Sequence, residues 1–227
     1  MIVAIHQPQY LPWLGYFDKI DRSDVFVFLD NVQFKKNEWQ NRNKIKTSEN
    51  WQWITVPVIH KFGQEICEVK INNTVTWGKK HLKTIITNYS KAPFFREHVE
   101  FFEKTFARKW QYLADINIHV IQYLTEALGI SYKKFVRASE YTLSEEPTER
   151  LTDICKQIEG DVYLSGKDGA NYLDLDKFEN EGIQVIFQDY KHPQYPQLYG
   201  DFTPYLSVID LLFNCGPESL SILRKGE

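Results

Sequence analysis

Apolar positions open the chain. MIVAI at 1–5 is a continuous run of the kind that makes a short strand buried on both faces, and SDVFVFLD at 23–30 repeats it. Between them lies HQPQYLPWLGYFDKI at 6–20. Pro8 and Pro12 lack a backbone N–H and restrict the residue before them, so a rigid loop is expected, followed by a helix over 14–20. WQWITVPV at 51–58 alternates as a third strand, and EICEVKI at 65–71 is expected as a fourth. In TWGKKHLKTIITNY at 76–89, Leu82, Ile85, Ile86 and Tyr89 fall at i, i+3, i+4 and i+7, which predicts a helix. Two more amphipathic helices are predicted at 92–106 and 112–128, the second closed by Gly129. Strands then alternate with helices: strand 131–137, helix 147–158 closed by Gly160, strand 162–165, helix 175–181, strand 183–189 and helix 207–214.

That alternation implies an α/β fold. The expectation is a Rossmann-like, mostly parallel sheet with helices on both faces and a helical insertion at about 76–128, all within one domain. In such sheets ligands sit at the carboxyl ends of the strands. Three polar segments fall there, at 6–16, 30–44 and 165–172, and their convergence on one rim is the physical argument for a site.

Each segment brings its own chemistry. His6 follows the first strand directly and can offer a ring nitrogen near neutrality, or simply tie the loop together. Gln7 adds a donor and an acceptor. Tyr10, Trp13 and Tyr16 can stack a base or a sugar, or fill the core. In QNRNKIK at 40–46, Arg42, Lys44 and Lys46 would share one face of a strand, suited to phosphate or carboxylate, or to protecting a solvated edge. The amides of Gln33, Asn41 and Asn43 favour a ligand there. Ser165, Gly166, Gly169 and Tyr172 belong to a small-residue loop that fits an anion or an ordinary turn. Lys79, Lys80 and His81 place cations in the first turn of a helix, against its dipole, which an anionic ligand would offset. The long stretch 188–214 is expected as an ordered loop leading into the last helix, with His192, Tyr195 and Gln197 lining the pocket, and Asp210 on that helix as a buried partner for a cation, for Arg42 or for a backbone amide.

Composition trims the function classes. A net charge of -3 argues against a nucleic-acid partner. Cys67, Cys155 and Cys215 are scattered, which points to reduced thiols, with neither a zinc site nor a disulfide framework. The opening residues lack the charged and apolar regions of a signal peptide, and no apolar run approaches the roughly 20 residues of a membrane span, so a cytoplasmic protein without a membrane partner is expected. No G-x-S-x-G, H-E-x-x-H, G-x-G-x-x-G or D-x-D-x-D occurs, and no metal ligands are assigned. The sequence carries no signal for an oligomeric state.

HQPQYLPWLGYFDKI, LDNVQFKKNEWQNRNKIK, WGKKHLKTI, YLSGKDGANYLD and HPQYPQ…FTPYLSVIDLLFN together resemble the WbqC-like family from end to end. The resemblance implies a bacterial protein associated with surface-polysaccharide (O-antigen) loci. A weaker likeness is to nucleotidyltransferases of the HIGH type: Trp13-Leu14-Gly15-Tyr16 stands where that motif would be, keeping Gly15 and replacing both histidines by aromatics. Asn31-Val32-Gln33-Phe34 and Ser165-Gly166…Asn171-Tyr172-Leu173 are similar to segments of pantothenate synthetase, which activates a carboxylate with ATP and forms an amide. These likenesses imply ATP and Mg2+ as cofactors and a small-molecule substrate, a nucleotide, amino acid or amino sugar. Under that expectation His6, Arg42, Lys44 and His81 are catalytic. Gln7, Tyr10, Gly15, Lys80, Ser165, Gly166 and Gly169 hold the nucleotide. Gln33, Asn41, Asn43, Tyr172, Tyr195 and Gln197 hold the substrate. The expected function is polysaccharide or sugar-nucleotide tailoring by a transferase or ATP-dependent amide ligase. An ATP-independent acyl or glycosyl transferase and a non-catalytic binding module of an assembly complex remain as alternatives.

Overall fold

The computed structural model describes residues 1–131 and 133–226. Five parallel strands form the central sheet: β1 (Ile2–His6), β2 (Val25–Phe28), β7 (Lys134–Arg137), β8 (Val162–Ser165) and β9 (Gln184–Phe187), in the order β7-β2-β1-β8-β9. The chain starts in the middle, builds outward through β2 and β7, then returns to the other side of β1 for β8 and β9. This is a doubly wound, Rossmann-like sheet, and the winding reverses between β1 and β8.

Side-chain alternation divides the core into two layers. Ala4, Phe26, Phe28 and Leu164 face a large cluster built with α1 (Leu14–Asp21), α2 (Trp77–Tyr89), α3 (Phe95–Ala107), α4 (Leu113–Ala127), α7 (Val208–Cys215) and α8 (Ser219–Leu223). Val3, Ile5, Val25, Val27 and Tyr163 face a second cluster under α5 (Pro147–Ile158) and α6 (Leu175–Asn180). Continuous apolar strands are the consequence of burial on both faces. The helical segment α2–α4 shares the first cluster with the sheet, through Ile85, Phe102 and Val120. Gly78 allows α2 to meet α3 closely: a Cβ there would stand 2.3 Å from the Phe106 carbonyl oxygen.

Several sequence expectations change. The strand over 65–71 is a 3-10 turn, Ile66–Glu68, followed by a two-residue β6 (Lys70–Ile71). Glu65 and Glu68 cap each other's backbone and close that turn. The strand over 51–58 splits at Pro57, which lacks the N–H to continue a ladder, giving β4 (Asn50–Thr55) and β5 (Val58–Ile59). The basic stretch after β2 forms β3 (Arg42–Thr47), antiparallel to β4. Helix α5 ends with Glu159 in the left-handed conformation, φ 62°, rather than Gly160. Gly160 is needed for space, since a Cβ would fall 2.3 Å from Val3 Cγ2. α8 was not foreseen. The strand over 131–137 is observed from Lys134, and Tyr132 lies outside the described residues. Among the described residues no helix is long and apolar enough to cross a membrane.

Candidate functional site

The three polar segments do leave the C-terminal edge of the sheet together, because β1, β2 and β8 are parallel neighbours. The edge is not uniform. The β1–β2 ladder runs to His6↔Phe28 and the β8–β9 ladder to Ser165↔Phe187, whereas β1 and β8 stop pairing at Ala4↔Leu164. The β1–β8 pairing thus ends two residues before His6, a notch in the ladder at the reversal of strand order.

Lys19 of α1 reaches this notch. Its Nζ donates to the carbonyl of Ile5 at 3.0 Å, just past the last β1–β8 pair. The side chain is buried, and burial pulls its pKa down to about 7 against a smaller opposing pull from Asp18. His6 stands beside it, packed edge-on against Tyr16 with ring centroids 4.8 Å apart. Burial and the Lys19 charge lower His6 to about 3, so its imidazole is neutral at physiological pH. Nδ1 lies 3.2 Å from the Gln7 carbonyl, an acceptor, so the ring proton sits on Nδ1 and Nε2 is left as an acceptor. His6 is therefore a neutral hydrogen-bonding group in the folded chain. Gln188, the first residue past β9, donates to the Gly15 carbonyl at 2.8 Å and to the Asp18 carboxylate, tying the start of α1 to the edge. Gly15 is pressed under Trp13, whose ring would be 2.2 Å from an added Cβ.

The loop after β8 flanks the notch. Gly166 has no atom within 4 Å of where a Cβ would point. Ser165 is fully buried, with its Oγ 2.1 Å from where a Gly169 Cβ would be. Tyr172 is exposed. On the other flank, Arg137 at the end of β7 donates from Nε to Asp30 at 2.7 Å and from Nη1 to Asp115 at 2.8 Å. Asp30 also accepts from the backbone and hydroxyl of Ser139, both at 2.9 Å.

The remaining sequence-derived residues lie elsewhere. Gln7 accepts from Gln40 at 2.7 Å. Tyr10 and His81 form a buried tie: the Tyr10 hydroxyl meets Nδ1 at 2.8 Å while Nε2 meets the Thr55 carbonyl at 3.0 Å. The carbonyl requires a proton on Nε2, so Nδ1 accepts from Tyr10, and both ring nitrogens are engaged within the fold. Asn41 donates to the Val56 carbonyl and Asn43 to that of Leu11, both as buried amides. Gln33 is exposed and bridges to Glu65. Arg42 and Lys44 lie over Trp53 and Trp51 on the β3–β4 hairpin, at 4.0 and 4.3 Å from the ring centres. Lys46 does not join them as a ligand-facing cation: it is buried and donates to Thr203 Oγ1 at 2.8 Å and to the Asp201 carbonyl. Lys80 is exposed at the start of α2, on the wall of a cavity between α2 and β4. Gln197 closes its own loop on Thr203, donating to its carbonyl and accepting from its N–H. Tyr195 is buried. Asp210 pairs with Tyr89, which donates at 3.0 Å, and not with Arg42; burial raises its carboxyl to about 6. Among the described residues no group of His, Cys, Asp and Glu is arranged to hold a metal ion.

Two buried imidazoles give the fold an acid signature. An unfolded chain takes up a proton at each His below about 6.5, whereas the folded chain resists to about 4 at His81 and about 3 at His6. The unfolded state then binds more protons, so stability falls as pH drops from 6.5 to 4, by up to about 1.4 kcal/mol per unit for each ring. Asp210 acts in the opposite sense, its raised pKa adding stability as pH falls from 6 towards 3.8. His81→Gln is expected to flatten the slope of urea-derived stability between pH 6.5 and 4. An unchanged slope would mean that His81 is protonated in the native protein.

Lys19, Asp18, Gln188, Asp30 and Arg137 were not singled out from sequence. The available signal for the first two was a charged pair, Asp18-Lys19, between Phe17 and Ile20 in the helix after β1.

Strand order and helix placement together define a doubly wound, Rossmann-like α/β protein. The chain belongs to the WbqC-like protein family, whose match spans residues 7–222. It is 39% identical over 226 residues to "Uncharacterized protein Rv1507c" of Mycobacterium tuberculosis (strain ATCC 25618 / H37Rv), covering 98% of this chain and 97% of the relative. The comparison with solved structures finds no match.

Proposed function

We propose that this protein is a nucleotide-using enzyme of polysaccharide or sugar-nucleotide tailoring, which activates a carboxylate with ATP and passes the acyl group to an amino sugar. The observation that carries the nucleotide part is the early end of the β1–β8 ladder at the strand reversal, with Lys19 and His6 beside it. Doubly wound sheets bind ligands at this point. An ammonium with a pKa near 7 is partly protonated at neutrality and supplies a cation to a phosphoryl group. Neutral His6 accepts a hydrogen bond through Nε2. The backbone at Gly166 approaches the ligand without side-chain obstruction.

The reaction balances in two steps. A carboxylate oxygen attacks the α-phosphorus of ATP and pyrophosphate leaves; the amine of the amino sugar then attacks the acyl carbon and AMP leaves, with loss of the amine proton. Magnesium would arrive on the nucleotide's phosphates.

Exchange of labelled pyrophosphate into ATP, run with Mg2+ and one amino acid at a time, tests the first step. Label incorporation that depends on a single amino acid supports the reading. ATP binding with no exchange for any amino acid would favour transfer from a preformed sugar-nucleotide or aminoacyl donor.

A further inference from the structure

The second cluster of cations lies on the β3–β4 hairpin, and it is built unlike the notch. Arg42 and Lys44 alternate along β3 and face the same side as Trp51 and Trp53 of β4, with Lys44 directly opposite Trp53. The Arg42 guanidinium sits 4.0 Å from the Trp53 ring centre; the Lys44 ammonium sits 4.3 Å from that of Trp51 and 5.3 Å from that of Trp53. Trp39 joins the row, 5.5 Å from Trp53. All three indoles stay more than a third exposed, at 37%, 37% and 36%. Three exposed indoles side by side on a small two-stranded hairpin cost hydrophobic free energy in water, and they contribute nothing to the core clusters.

Charge complements the aromatic row. Among the described residues no carboxylate forms an ion pair with Arg42, Lys44 or Lys80, and Arg42 Nε is buried without a hydrogen-bond partner. The row also borders a cavity of about 520 Å³ between β4 and the first turns of α2. That volume falls within the range of small-molecule sites. Trp53 belongs to both the row and the cavity wall, so the two adjoin at this residue; Arg42, Lys44, Trp39 and Trp51 flank the cavity without lining it. The opposite wall carries Trp77, Lys80 and the hydroxyl-bearing Thr76 and Thr84.

The ingredients are flat aromatic surface, neutral hydrogen-bonding groups and unpaired cations on two surfaces that meet at Trp53. Aromatic rings pack against the C–H faces of a pyranose, the hydroxyl and amide groups take sugar hydroxyls, and the cations take a carboxylate, Arg42 through a planar fork. From this juxtaposition we infer that the groove running from Trp39 and Trp51 over Trp53 into the α2–β4 cavity binds an acidic saccharide, with its carboxylates held by Arg42, Lys44 and Lys80. This inference rests on the groove's own residues and does not depend on a nucleotide at the notch.

Tetragalacturonate is the probe, maltotetraose the neutral comparator, and uridine monophosphate the test for a stacked nucleotide, each titrated without ATP while indole fluorescence and heat are followed. Saturable binding of tetragalacturonate is expected, at least tenfold tighter than maltotetraose and tighter than the nucleotide. An Arg42→Gln/Lys44→Gln double variant is expected to weaken it at least tenfold, and Lys80→Gln, a change at an exposed position, severalfold. Circular dichroism confirms that each variant is folded, and Lys80→Gln keeps the test decisive if the double variant is not. Absence of saturable binding to the folded protein, equal affinity for maltotetraose, tighter binding of uridine monophosphate, or affinity unaffected by the charge substitutions would each overturn the inference.

Discussion

Arg137→Met is expected to lower the stability of this protein by about 3–5 kcal/mol, measured by urea denaturation at neutral pH. The reason lies in Asp30. Its carboxylate is fully buried two residues past the end of β2, and Arg137 supplies the one cation bonded to it, at 2.7 Å, among the described residues. Ser139 adds two further bonds, through its N–H and its hydroxyl. Methionine keeps much of the side-chain volume and removes the charge, leaving a buried carboxylate uncompensated, the situation that makes breaking a buried pair costly. Asp30→Asn/Arg137→Met should recover part of the loss, because the buried charge disappears with its partner. Asp115, which is more exposed, contributes less: Asp115→Asn should cost about 1 kcal/mol or less. A loss below 1 kcal/mol for Arg137→Met would show that water reaches Asp30 and that this flank of the sheet edge is open.

Lys19→Met is expected to separate stability from binding. A buried ammonium that titrates near 7 in the folded chain and near 10.5 in the unfolded one makes the unfolded state bind more protons between those values. Stability therefore climbs with pH through that window, by at most about 1.4 kcal/mol per unit. The methionine variant lacks this climb. At pH 7 and below it escapes the desolvation of the charged form while losing one bond to the Ile5 carbonyl. The expected result is a variant at least as stable as the parent at pH 6, with a flatter profile from pH 7 to 9.5. A residue whose removal spares the fold and weakens a ligand is one the fold retains at a cost, as functional sites commonly do.

The sheet was largely legible because burial on both faces writes itself as uninterrupted apolar runs. MIVAI and VFVF cannot be helix surfaces, and the parallel order follows from the helices between them. Helix α5 was equally plain, with Pro147 at its start and apolar spacing through Ile158. The chemistry at the sheet edge was half legible. His6 is marked by its place at the end of β1, directly after the apolar run, a position that local sequence conveys. Lys19 is not, because on a helix it reads as solvated surface, and only the crossing of α1 over the end of β1 brings its ammonium to Ile5. Asp30 and Arg137 lie 107 residues apart and meet because β2 and β7 are neighbours, which no local pattern reports. The alternation at 42–46 predicts a single charged face, yet Lys46 turns inward to Asp201 and Thr203. His81 looked like a ligand in a cationic first turn, and packing against Tyr10 and Thr55 uses both of its nitrogens.

The proposed site for a nucleotide's phosphates is the end of the β1–β8 ladder. Isothermal titration of ATP with Mg2+ into the wild-type protein and into Lys19→Met, side by side at pH 6.5, tests it most directly. Saturable binding to the wild type is expected, with affinity at least tenfold weaker in the variant and both samples folded. No saturable heat from the folded wild type, or equal affinity in the two, would contradict it.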